Sequence, residues 1–62
     1  MKAIDLSPQE FELHLTKAEC LILANCLTET CNVIADFEFE MRLGDTKADV
    51  LALRDLLRAA AQ

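Results

Sequence analysis

Sixty-two residues with one glycine, one proline and 53% hydrophobic side chains describe a single folded domain over residues 1–62, not a disordered or collagen-like chain. A core of that size stabilises a fold by only about 3–5 kcal/mol without disulfides, metal or association. The net charge of −5 is unevenly placed: residues 1–41 hold eight acids against Lys2 and Lys17, while residues 42–62 hold three against Arg42, Lys47, Arg54 and Arg58. Phosphate backbones and anionic lipids repel such a chain, which disfavours nucleic acid and excludes a membrane surface as partner.

The first fifteen residues carry two signals. Ser7-Pro8-Gln9-Glu10 has the form of a capped helix start, but Glu10-Phe11-Glu12-Leu13-His14-Leu15-Thr16 alternates polar and apolar without a fault, the period of a half-buried strand. A helix there would scatter Phe11, Leu13 and Leu15 around its cylinder. The strand is therefore preferred. Ser7–Glu10 becomes a type I turn with Pro8 in its favoured position, and Ala3–Leu6 a first strand completing a hairpin. If that short segment does not pair, a single strand remains.

Thr16-Lys17-Ala18-Glu19 is a capping box opening the element around which the chain is organised, a helix from Thr16 to Ala35. Asn25, Glu29, Asn32 and Asp36 form its narrow polar stripe. Cys20, Leu23, Ala24, Leu27, Cys31 and Ile34 recur at steps of three and four as a packing seam, and Ile22, Cys26 and Val33 widen the apolar arc further. So broad an arc needs cover on two sides. The rest of the chain is barely large enough to supply both, which points to a second copy.

The three cysteines all fall on this helix at spacings of six and five residues. Those spacings suit neither a local disulfide nor a Cys-x-x-Cys zinc site. They read as reduced thiols of a cytoplasmic protein, with Cys20 and Cys31 on the seam and no metal held. Pro8 interrupts any signal-peptide core, and no run approaches the ~18 apolar residues of a membrane span.

Residues 36–43 permit two readings. Phe37, Phe39, Met41 and Leu43 alternate with Glu38, Glu40 and Arg42 as a strand would, giving a β-α-β-α order. Yet Glu, Met, Arg and Leu favour helix, Asp36 suits an N-cap, and Gly44 suits a C-terminal stop. A short helix is preferred. A second box, Thr46-Lys47-Ala48-Asp49, opens the last helix, over residues 47–61, with Val50, Leu53, Leu57 and Ala60 as its seam. Its likeness to residues 16–23 reflects the shared grammar of capped helices, not a repeat.

Catalysis finds no foothold. His14, the one histidine, projects from the polar strand face beside Glu12 with no second group placed to work with it. No phosphate loop, metal motif or nucleophile elbow is present. The acids at 36, 38, 40, 45 and 49 lack the spacing of a calcium loop.

Phe39, Leu43-Gly44, Thr46, Val50 and Leu53 resemble the second and third helices of a bacterial helix-turn-helix, with Gly in the turn and a hydroxyl cap. Two positions depart from that pattern, Glu40 and Asp45. The resemblance implies a DNA-binding regulator using residues 37–58, with Thr46, Lys47, Ala48, Leu51 and Ala52 facing the major groove. That set holds one cation and no base-reading Asn, Gln or Arg.

The fold expected is thus α+β, mainly helical: N-terminal hairpin or single strand, long central helix, short helix, C-terminal helix. The function expected is a non-enzymatic protein–protein interaction module without cofactor. Its partner is a second copy, joined through the central helix or through an edge strand, a different protein remaining open. The candidate interface is Leu23, Leu27, Cys31, Ile34 and Leu51, and the helix-turn-helix regulator is the alternative.

Overall fold

The computed structural model describes every residue from Met1 to Gln62. Strands β1 (Lys2–Ser7) and β2 (Glu10–His14) form an antiparallel hairpin, and three helices follow: α1 (Lys17–Val33), α2 (Asp36–Leu43) and α3 (Lys47–Ala60). This is the α+β, mainly helical order expected, with residues 36–43 helical.

In the hairpin, Ala3 lies opposite Leu13 and Asp5 opposite Phe11 on one face, with Lys2 opposite His14 and Ile4 opposite Glu12 on the other. The Ser7 hydroxyl accepts from the Gln9 N–H at 3.3 Å in the turn. The pairing slips between Asp5 and Ser7, so that Leu6 bulges from β1 while β2 stays regular. The alternating residues do form a strand, but not a half-buried one: Phe11 and Leu13 are exposed. No strand residue comes within 8 Å of a helix residue, Cα to Cα. The cause is local. Only Leu15 and Thr16 separate β2 from α1, and Thr16 is extended (φ −74°, ψ 164°), so the hairpin projects from the start of α1 instead of folding back over it.

The capping box at that junction is complete. Thr16 Oγ1 accepts from the Glu19 N–H at 3.1 Å, and Glu19 Oε1 accepts from the Thr16 N–H at 2.9 Å. The bond from the Thr16 backbone, and after it the Met1 ammonium 2.9 Å away, hold the Glu19 carboxyl below its usual range. The far end of α1 stops at Val33, two residues before the expected Ala35, because Ile34 turns extended to lead into α2.

α3 packs along one side of α1, the side of Cys20, Ala24 and Cys31. These small side chains let the helices approach closely, and Ala24 is fully shielded at 0% exposure. Arg58 Nη2 donates to Thr28 Oγ1 at 3.2 Å, and that hydroxyl donates to the Ala24 carbonyl at 3.0 Å.

α2 closes the end of this pair. Helical geometry splits the alternating residues: Phe39 turns inward to 1% exposure, while Phe37 and Met41 turn outward to 85% and 86%. Phe39 forms the core with Cys31 and Val50, and Leu27, Ile34 and Leu51 pack around them. Gly44 ends α2 in the left-handed region at φ 79°, where a Cβ would be strained. The Glu38–Arg42 pair, at 3.1 Å, spans one turn in the favourable order. The expected Asp36 cap is corrected: Ala35 is the N-cap and makes no side-chain bond. Asp36 instead pairs with Lys47, whose ammonium lies 5.7 Å from the Phe39 ring centroid. That pairing draws the acid inside the first turn.

The molecule is a slab of 34 × 29 × 15 Å with a radius of gyration of 12.9 Å. A compact domain of this length has a radius of about 10.6 Å. The difference arises because the elements spread in one layer, with the hairpin standing clear.

Candidate protein-interaction surface

Only five residues are buried, so the uncovered apolar side chains are the molecule's most distinctive feature. Most of them fall in four places. The hairpin presents Phe11 and Leu13 on the face that also carries Ala3. Ile22, Cys26 and Val33 form a strip along the side of α1 away from Ala24. Phe37 and Met41, four residues apart, ridge the outside of α2, and Leu53 and Leu56 flank α3.

The candidate interface residues sit elsewhere. Cys31 is buried, Leu27, Ile34 and Leu51 pack against the Phe39 cluster, and Leu23 is half-buried. Four of the five are therefore brought together, inside one chain. The broad arc of α1 does have two sides, as its sequence implied. α3 takes the side of the seam, and the exposed strip Ile22–Cys26–Val33 is the other. Periodicity showed that both sides were apolar but carried no signal of which one α3 would occupy.

The electrostatics around these patches are acidic. Glu29, Glu40 and Glu10 are exposed and form no ion pair. At the start of α3, Asp45 Oδ1 accepts from the Thr46 N–H at 2.7 Å, in place of the reciprocal bond of the expected second box. Only half of that box forms, Thr46 Oγ1 accepting from the Asp49 N–H at 3.1 Å. The Asp49 carboxyl turns instead to Asp45. Hydrogen bonding between the two lowers the Asp45 carboxyl and raises that of Asp49. His14 lies where alternation put it, its Nε2 3.3 Å from Glu12 Oε2, both exposed.

Between α2 and α3 the chain turns through Gly44, Asp45 and Thr46, a connection length found in helix-turn-helix motifs. The side chains that would meet a groove have other tasks. Thr46 caps α3, Lys47 is held by Asp36, and Leu51 packs on the core. Ala48 and Ala52 remain, both exposed, and alanine offers a base edge no hydrogen bond.

The thiols separate by burial: Cys20 and Cys31 are buried and Cys26 is exposed. One thiol per chain is expected to react with a maleimide or disulfide reagent within minutes under native conditions, and two only on unfolding. Three fast thiols, or stoichiometric zinc in the purified protein, would contradict this placement. The surface has no pocket, and no helix is long and apolar enough to cross a membrane. The sequence matches no protein-family model, no curated protein and no solved structure.

Proposed function

We propose that the protein is a non-enzymatic interaction module that works as a homodimer. One observation carries this reading. A folded monomer of 6.9 kDa exposes about 4,000 Å² on the usual mass scaling, whereas this chain exposes 4833 Å². The excess, roughly 800 Å², is about what one partner contributes to a standard protein–protein interface. The uncovered apolar side chains supply the chemistry for it.

A second copy is the simplest occupant, because most soluble oligomers are homo-oligomers and association is one of the ways a domain of this size supplements a small core. Regulation through DNA is the weaker alternative, since the turn between α2 and α3 has suitable length but its outward residues carry neither base-reading groups nor free cations. Folding coupled to dimerisation makes the melting temperature depend on protein concentration. A rise of several degrees between about 2 and 200 μM is expected in circular dichroism melts. A melting temperature constant over that hundredfold range would overturn the proposal.

A further inference from the structure

The hairpin is the least supported element of the fold. A two-stranded sheet is marginal in water unless a third strand or a helix backs it, and here the Phe11 and Leu13 face is exposed and no strand residue lies within 8 Å of a helix residue, Cα to Cα. It also has two open edges, each a row of unpaired N–H and C=O groups that invites another strand. The edges are not equivalent. β1 is interrupted by the bulge at Leu6, a device that blunts pairing, while β2 is regular from Glu10 to His14.

We infer that two copies join along β2, making a four-stranded antiparallel sheet of order β1-β2-β2-β1 in which Leu13 lies opposite Leu13 of the second copy. This rests on the homodimer reading and names its surface. Charge selects the register. Side chains directly opposite across antiparallel strands share a face, and like charges there destabilise. Centring the pair on Phe11 sets Glu10 against Glu12, and centring it on Glu12 sets Glu12 against itself. Centring on Leu13 sets Glu12 against His14 of the second copy, twice, with Lys2 beside each His14 on its own hairpin. On the other face Leu13 meets Leu13 and Phe11 meets Leu15. The exposed apolar face of one hairpin thereby continues into that of the other, and the marginal two-stranded sheet gains the strands it lacks.

Engineered thiols test the register. Leu13→Cys and Phe11→Cys are each made in a Cys26→Ser background, which removes the exposed native thiol, and are followed under mild oxidation on non-reducing gels. Opposed Cα atoms in an antiparallel pair lie about 4.5–5.5 Å apart, within disulfide reach. In the proposed register the two Phe11 positions are about 14 Å apart along the strands. Leu13→Cys is expected to form covalent dimer at least tenfold faster than Phe11→Cys. If Leu13→Cys fails to fold, the double variant Phe11→Cys/Leu15→Cys takes its place, since those positions face each other between copies and cannot bridge within one strand. Equal rates, or faster crosslinking of Phe11→Cys, would overturn the inference. Wild-type protein of dimeric mass with no Leu13→Cys crosslink would place the dimer on another surface, overturning this inference alone, and monomeric mass would overturn the homodimer as well.

Discussion

Phe39→Ala is expected to leave the chain without a cooperative thermal transition. Phe39 is the one large side chain fully removed from water, and Cys31, Val50, Leu27, Ile34 and Leu51 all gather around it. Truncating a buried Phe costs about 3–5 kcal/mol through lost transfer energy and the cavity left behind. That equals the whole stability of a core this small. Phe37, two residues away and 85% exposed, is the internal comparison: Phe37→Ala should change stability by less than about 0.5 kcal/mol, the usual range for a surface site. If residues 36–43 were a strand, both rings would share a face and the two variants would lose similar stability. Circular dichroism melts of the pair distinguish these outcomes.

Leu27→Asp should be comparably severe, and Asn25→Asp mild. Leu27 packs on the Cys31–Phe39–Val50 cluster, so a carboxylate there loses water on its packed side and displaces the apolar contact, at a cost of several kcal/mol. Asn25 is exposed on the polar stripe of α1 and its replacement stays in water. Chemical denaturation at neutral pH provides the readout, with loss of the folded baseline expected for Leu27→Asp and a midpoint close to the parent for Asn25→Asp. Small, equal effects would mean that α1 is rotated about its axis from the orientation described.

Local grammar made much of this fold legible. Thr16 and Glu19 announce the start of α1 because a capping box is a contact among four consecutive residues and owes nothing to tertiary structure. Gly44 announces the end of α2 for the same reason, and Glu10–His14 forms a strand because its period is 2. Residues 36–43 were ambiguous at this level. Phe37, Phe39, Met41 and Leu43 satisfy a strand face as well as they satisfy two faces of a helix, and what separates the readings is long-range: Cys31 of α1 and Val50 of α3 pack around one ring, and Lys47 lies over that ring holding Asp36.

The placement of the surface was hidden for a related reason. Apolar spacing on α1 identifies two sides of the cylinder without saying which one a neighbouring helix will claim. Leu27, Cys31, Ile34 and Leu51, candidates for contact between copies, pack within one chain, and Ile22, Cys26 and Val33 are left outside. For the hairpin, alternation predicted a partner for the face of Phe11 and Leu13 but could not show that the two-residue link to α1 would hold that face away from the helices. The excess of apolar side chains was therefore readable in the composition, while which of them stay exposed depended on how the tethers direct the elements.

Pairing of the chain with a second copy is the central proposal, and the solution mass by light scattering tests it most directly. Across micromolar concentrations the mass is expected to be about twice the chain's 6.9 kDa, falling toward the single-chain value only on dilution. A mass of 6.9 kDa that holds at every concentration, from protein that melts cooperatively, would contradict it.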